Sequence, residues 1–159
     1  MFCIFKSEPF IDPVLGAFHR SGGAWRGIVT LPATTSAPLI LAGSRSKPDA
    51  DALRLAGTIV DGFPHWRPQI ERALLEHLAP YAESVAAGAL APPPAGLPPV
   101  DDSSAVWEYV TTLFVQVAPL DGILTLEIGY AVTWDEEHTL GARIQHGELL
   151  ELCGSILSP

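Results

Sequence analysis

Basic residues are scarce in this chain. Nine Lys and Arg residues stand against 18 Asp and Glu residues, which gives a formal net charge of −9 and a pI near 4.8. Binding to nucleic acid depends on basic side chains that neutralise backbone phosphates. The composition therefore argues against nucleic acid as a partner.

Long apolar runs are also missing. The longest candidate, around residues 85–91, is interrupted by Gly88 and followed by Pro92, so it is too short to cross a bilayer and no membrane partner is predicted. The first residues include Glu8 and Pro9 where a secretory signal needs an unbroken apolar run. We therefore predict neither a membrane span nor an export signal.

Cysteine is rare, with Cys3 and Cys153 near opposite ends of the chain and no C-x-x-C spacing. In a protein without an export signal, such cysteines are typical of reduced thiols in the core. The expected location is the cytoplasm.

Motifs that would name a reaction are absent from the sequence. No serine lies in a G-x-S-x-G pattern, no histidines show H-E-x-x-H spacing, and Ser21-Gly22-Gly23 lacks the lysine and the length of a phosphate-binding loop. No catalytic residue, metal or cofactor is predicted from motifs.

The chain does contain enough hydrophobic residues to form a core. Hydrophobic residues make up 48% of its 159 residues, the mean hydropathy is +0.27, and this length suits one hydrophobic core. We predict a single α+β domain over residues 1–159.

Two helices are predicted in the middle of the chain. Ser46-Lys47-Pro48-Asp49 has the S-x-x-D form of a helix start with proline in the first turn, and Gly62 is expected to end this helix. A second helix is predicted over Trp66 to Ala87, with Pro80 kinking or splitting it. Its apolar stripe consists of Trp66, Ile70, Leu74, Leu78, Tyr81 and Val85.

Strands are predicted on both sides of these helices. We predict an N-terminal hairpin made of two strands, Trp25 to Leu31 and Leu39 to Ala42. Apolar residues alternate at Leu113, Val115 and Val117 and again from Leu124 to Val132. Hairpin turns are predicted at Asp121-Gly122 and at His146-Gly147. The predicted fold class is α+β: an antiparallel sheet, made of the hairpin and a C-terminal meander of about four strands, packed against two or three central helices.

A proline-rich segment separates the helices from the meander. Residues 91–99 hold five prolines, which rules out a regular helix or a central strand. We interpret this segment as a connector between the helical and sheet-forming parts of the domain.

The acidic excess is concentrated in the second half. Residues 1–80 carry eight basic and seven acidic side chains, whereas residues 81–159 carry one basic side chain, Arg143, and eleven acidic ones. Such asymmetry is typical of a surface for a basic partner, and equally of a charged face that keeps a protein in solution.

The densest polar feature is Trp134-Asp135-Glu136-Glu137-His138, expected in a loop between two strands. Three carboxylates and an imidazole could bind a divalent cation or act as acid and base. In an extended chain, however, consecutive side chains point to opposite faces, so only a tight turn could gather all four. Trp134 is read either as the end of a core strand or as an exposed interface anchor.

The region from Val106 to Arg143 resembles a family of small uncharacterised bacterial domains in which a strand ends in a W-D-x-E-H-G-L-type pattern. The matching run is Trp134-Asp135-Glu136-Glu137-His138-Thr139-Leu140, with Thr139 where the family tends to have glycine. Some members resemble immunity proteins, which bind and block a toxin. The resemblance implies a binding role and assigns no catalytic residue.

These observations predict a non-catalytic protein-interaction domain of immunity type. It would present the acidic C-terminal sheet and the 134–138 loop, with Trp134, Asp135, Glu136, Glu137 and His138 as binding residues, to a basic protein. The alternative is a small metal-dependent or acid–base enzyme centred on Glu137 and His138. The sequence leaves homo-oligomerisation open.

Overall fold

A computed structural model describes residues 7–32, 36–99 and 101–159 of the chain. Cys3, whose burial was predicted, lies outside these ranges, and Cys153 is a partly exposed free thiol rather than a core residue. In chain order the elements are β1 Phe10–Asp12, β2 Gly16–Ser21, β3 Ala24–Thr30, β4 Ser36–Leu41, α1 Ala50–Ala56, α2 Ile59–Ala86, the 3₁₀ helix η1 Ser103–Tyr109, β5 Val110–Leu120, β6 Ile123–Val132, β7 Asp135–Gln145 and β8 Glu148–Cys153.

The eight strands of the described residues form one open sheet in the order β1 to β8. The prediction of an antiparallel sheet was wrong, because β4 and β5 run parallel, with Leu39 paired to Val115 and Leu41 to Val117. The long connection through α1, α2 and η1 returns the chain to the same end of the sheet, which is how parallel neighbours are joined. The N-terminal part also supplies four strands, not a two-stranded hairpin, so strands span the whole chain.

Two tight turns confirm the hairpins predicted in the C-terminal part. Asp121 and Gly122 have φ angles of +50° and +80°, and His146 and Gly147 have φ angles of +52° and +81°. Two consecutive left-handed residues produce the turn whose twist matches that of paired strands. The first turn connects β5 to β6, and the second connects β7 to β8.

The strand prediction was right for β6 and partly wrong for β5. Alternate residues of β6 from Leu126 to Val132 are buried, as are Val115 and Val117 of β5. Leu113 is exposed, because the register between β5 and β6 shifts at this point and leaves it as the extra residue of a bulge.

The helices begin at different residues from those expected. Asp49 caps α1, its carboxylate accepting hydrogen bonds from the backbone N–H groups of Asp51 and Ala52, so Pro48 precedes the helix. Helix α2 runs without a break for 28 residues and contains Pro64, Pro68 and Pro80. The predicted division at Pro80 does not occur.

One face of the sheet packs against the helices. Buried residues of β2 to β7 join those of α1, α2 and η1 in a single apolar cluster that includes Trp25, Phe63, Val106 and Tyr130. Burial of such side chains supplies the main free energy of folding. In the described residues no helix has the length and apolar character needed to cross a membrane.

Candidate functional site

The residues predicted as a loop form a turn and the start of a strand. Thr133 and Trp134 connect β6 to β7, and β7 begins at Asp135. All five predicted binding residues nevertheless line one cleft of about 340 Å³, which also involves the C-terminal end of α2 and the connector at 91–99. The structure therefore brings the sequence-predicted residues together on one side of the molecule.

A bulge in β7 places His138 beside Asp135. Tyr130 pairs with Leu140 and Val132 pairs with Asp135, so the four residues 136–139 oppose the single residue 131. In a regular strand, residues three apart point to opposite faces. With the extra residues looped out, His138 Nδ1 lies 2.9 Å from one carboxylate oxygen of Asp135 and 3.1 Å from the other.

The carboxylate of Asp135 is the centre of the cluster. It is only 5% exposed and accepts hydrogen bonds from the Tyr81 hydroxyl at 2.7 Å and from His138 Nδ1. Burial works to raise the pKa of Asp135, but the bonds from Tyr81 and His138 and the nearby imidazoles outweigh it, so the pKa lies below its usual value. The bond to Asp135, with partial burial, raises the pKa of Tyr81 to about 12.

Trp134 and His77 form the inner side of the cluster. The Trp134 indole Nε1 donates to His77 Nδ1 at 3.1 Å, so that nitrogen carries no proton and the imidazole is neutral with its proton on Nε2. His77 Nε2 lies 3.9 Å from Asp135 Oδ2. Burial lowers the pKa of His77, and this effect outweighs the negative charge of Asp135, which acts to raise that pKa.

These contacts decide between the two readings of Trp134. The side chain belongs to the core, with 5% exposure, and is not an exposed anchor. Glu136 and Glu137 are exposed, and the His138 imidazole is 46% exposed. Only these last three residues can reach a macromolecular partner directly.

The cleft combines apolar walls with an acidic edge. Val85 of α2 and Leu90, Pro93 and Leu97 beyond it provide apolar surface, and none of the described residues that line the cleft is a Lys or Arg. The C-terminal end of a helix carries partial negative charge, and the last turn of α2 contains no basic residue. Negative potential in the cleft therefore comes from both the backbone and the carboxylates of Asp135, Glu136 and Glu137.

Two members of the cluster were missed from the sequence. Tyr81 was assigned to the apolar stripe of the second helix, and His77, on the same helix, was given no role. The spacing from His77 to Tyr81 is four residues, which places both on one face of a helix, and their rings lie 5.5 Å apart. That spacing was the available signal, but nothing in it indicated which strand they would meet.

The geometry does not gather the groups expected of a metal centre. Across the described residues, no three His, Cys, Asp or Glu side chains are arranged to hold a metal ion. The partner of His138 is Asp135 rather than Glu137, with which the sequence had paired it as an acid–base centre.

A second polar cluster lies on the opposite face of the same strands. Arg143 Nε donates to Glu127 at 2.7 Å, and Arg143 Nη1 donates to Glu151 at 2.8 Å. The bond with Glu127 is the first cause of a raised pKa of Arg143. The single base of the acidic half is thus occupied by two of its carboxylates.

Thr139 does not strain the bulge. Among the described residues, the non-glycine positions with positive φ are Asp121 and His146, so Thr139 lies outside the left-handed region. Its carbonyl accepts a hydrogen bond from the backbone N–H of Ile156 at 2.9 Å. The conformation at this position does not require glycine.

Comparison with known protein families matches most of the chain. The family model described as "Domain of unknown function (DUF6985)" matches residues 14–155. No curated protein and no solved structure matches the chain. Since the match spans most of its length and every element from β2 to β8, the chain belongs to the DUF6985 family.

Proposed function

We propose that this member of the DUF6985 family is a protein-binding domain whose cleft at Asp135–His138 receives a cationic side chain from a basic partner. The observation that carries the proposal is the composition of the cleft: apolar walls, an edge formed by Glu136 and Glu137, and no Lys or Arg among the described residues that line it. An arginine or lysine side chain has the matching chemistry, an aliphatic stem with a cationic head.

The local charges support a cationic ligand in preference to an anionic one. The Asp135 carboxylate is hydrogen-bonded by neutral Tyr81 and by His138. In the part of the chain that the structure describes, no arginine pairs with it, in contrast to the two carboxylates around Arg143. Glu136 and Glu137 have no hydrogen bond or ion pair among the described residues and remain available to a partner.

The binding role is of the immunity type in this proposal: the chain blocks a basic protein, such as a bacterial toxin, by occupying its surface. Electrostatic complementarity of this kind accelerates association and selects the partner. The proposed compartment is the cytoplasm, where the free thiol of Cys153 stays reduced.

The test compares two peptides and two matched double variants. A nine-residue arginine peptide and its isosteric, uncharged citrulline analogue are titrated into the protein by calorimetry. Glu136→Gln/Glu137→Gln removes two charges from the cleft edge, and Glu108→Gln/Asp121→Asn removes two exposed charges from the same half of the chain.

We expect the arginine peptide to bind and the citrulline peptide to bind much more weakly. The cleft variant should lose about 1 kcal/mol, or about fivefold in affinity, while the control loses less than half of that through its change in net charge. Equal losses in the two variants would mean that only net charge matters, and the cleft would have no role.

One observation favours a second candidate function, acid–base catalysis. The buried carboxylate of Asp135 accepts a hydrogen bond from Nδ1 of the half-exposed His138. This arrangement leaves His138 Nε2 free to accept a proton from a water molecule. Hydrolysis of p-nitrophenyl acetate faster than by an equal concentration of imidazole, and lost in His138→Gln, would support this candidate; a rate equal to that of imidazole would eliminate it.

A further inference from the structure

Two histidines lie beside the single carboxylate of Asp135. His138 Nδ1 is 2.9 Å from Oδ1, and His77 Nε2 is 3.9 Å from Oδ2. Imidazoles in general change charge between about pH 5 and pH 8, whereas a guanidinium stays positive throughout that range. Mild acid can therefore change the charge of the cluster while an arginine side chain bound to it stays as it is.

The two histidines differ in what a second proton would disturb. His77 Nδ1 accepts the hydrogen bond from the Trp134 indole, so a proton on that nitrogen would remove the bond. Burial also lowers the pKa of His77, and its side chain is 20% exposed, against 46% for His138. His138 lines the cleft, and its protonation breaks no hydrogen bond of the cluster.

The bond to Asp135 determines which nitrogen of neutral His138 carries the proton. An ionised carboxylate only accepts hydrogen bonds, so Nδ1 is the donor. Nε2 then has an unshared electron pair, and it has no hydrogen-bond partner among the described residues. Neutral His138 therefore offers an acceptor that an N–H group of an arginine or lysine side chain can use.

Protonation of His138 changes both the hydrogen bonding and the charge of the cleft. Nε2 becomes a donor and can no longer accept a hydrogen bond from a cationic side chain. Nδ1 continues to donate to Asp135, whose charge is then paired with a cation, as the charge of Glu127 is paired with Arg143. Both changes weaken the binding of a cationic ligand.

We propose that His138 makes ligand binding in the cleft dependent on pH. The cleft binds a cationic side chain while His138 is neutral and releases it when His138 is protonated. This inference rests on the proposed function, because it concerns the same cleft and the same ligand.

The charged and titratable groups that face His138 come from β7 and α2. They are Asp135, Glu136 and Glu137 of β7 and His77 and Tyr81 of α2. The hydrogen bond to Asp135 is the first cause that raises the pKa of Tyr81 to about 12, so its hydroxyl stays neutral. The sequences of residues 91–99 and 154–159 contain no ionisable side chain. The cation that acid adds to the exposed part of this cluster is therefore the imidazolium of His138.

Calorimetric titration of the nine-residue arginine peptide at about pH 7.5 and about pH 5.5 tests the proposal. The quantity compared is the ratio of the two dissociation constants, so a loss of affinity common to both pH values cancels. Wild type is compared with His138→Gln and with the matched control His65→Gln. His65 is also an imidazole beside a carboxylate, with Nε2 3.2 Å from Glu148, and it lies outside the cleft. Circular dichroism confirms that each variant is folded.

Proton release on binding provides a second measurement, which needs only the wild type. If protonation of His138 opposes binding, then by linkage binding at about pH 6.5 must release protons. Titrations in two buffers with different enthalpies of ionisation measure the number of protons released. We expect a net release.

We expect wild type and His65→Gln to bind about tenfold more weakly at the lower pH, and His138→Gln to lose no more than about threefold. A wild-type ratio near one, equal ratios in wild type and His138→Gln, or no proton release would overturn this inference and leave the proposed function in place. A peptide that binds at neither pH would overturn the proposed function and this inference together.

Discussion

The two faces of the β6–β7 hairpin carry two polar clusters built in opposite ways. On the outer face, Arg143 neutralises Glu127 and Glu151 through direct ion pairs. On the helix side, Asp135 is satisfied by a phenol and an imidazole, and the carboxylates beside it are left to a cleft. The charges of the Arg143 cluster are paired with one another, whereas the Asp135 cluster retains negative charge at the surface.

The difference shows where the acidic excess of the second half can act. A carboxylate paired with a permanent cation has little left to offer a partner, because its charge is already compensated. Glu136 and Glu137 have no such partner among the described residues, and they lie next to a concave surface. Local pairing, rather than net charge, separates the structural carboxylates from those available for binding.

The largest effect is expected from Trp134→Ala. Trp134 is buried and donates to His77, so truncation should destabilise the protein by about 3–5 kcal/mol. Trp134→Phe keeps most of the packing and should cost about 1–2 kcal/mol. Urea denaturation measures both. A loss below about 1 kcal/mol for Trp134→Ala would mean that the cleft cluster is not anchored in the core.

Arg143→Gln should rank second, at about 2–3 kcal/mol, because Glu127 is largely buried and would lose its cation. The double variant Arg143→Gln/Glu127→Gln should recover most of that stability, since no buried charge is then left unpaired. Neither change should affect binding at the cleft. A double variant less stable than Arg143→Gln would contradict the description of this cluster as a closed ion pair.

Asp135→Asn should cost about 1–2 kcal/mol at neutral pH, since the amide is a poorer acceptor for Tyr81 and His138. The pKa of Asp135 is lowered in the folded state, so its ionised form adds stability above the unfolded pKa, and this is lost as the pH falls through the folded pKa. The stability difference between wild type and variant should therefore shrink below about pH 4. A difference that stays constant down to pH 2 would show that the carboxylate charge has no part in it.

The smallest effect concerns the bulge itself. Thr139→Gly should destabilise the protein by about 0.5–1 kcal/mol, because glycine adds freedom to the unfolded chain and the backbone here does not need a left-handed residue. A thermal melt against Thr139→Ser separates backbone freedom from the loss of the methyl group. A gain in stability from glycine would show strain in the bulge.

Much of the second half could be predicted because its signals are local. Alternation from Leu124 to Val132 and the Asp121-Gly122 turn fix β6 and its hairpin without long-range information. The parallel pairing of β4 with β5 could not be predicted, since it depends on where a connection of some 70 residues delivers the chain.

The candidate site shows the same limit. Asp135 and His138 could be named from the sequence because polar residues are concentrated there. The alternation of side chains in a strand, however, predicted that the two would point to opposite faces. The four-residue bulge brings them together. His77 and Tyr81 reach Asp135 across more than 50 residues. Periodicity indicates a helix face and gives no information on what that face will contact.

Chemical-shift mapping by NMR with the nine-residue arginine peptide tests the central claim most directly, because it locates the bound cation on the folded wild type. We expect the largest backbone amide shifts at residues 81–97 and 134–138, which border the cleft, with the citrulline peptide causing little change. Largest shifts around Glu127, Arg143 and Glu151, or shifts spread evenly over the exposed carboxylates, would contradict the assignment of the cleft as the binding site.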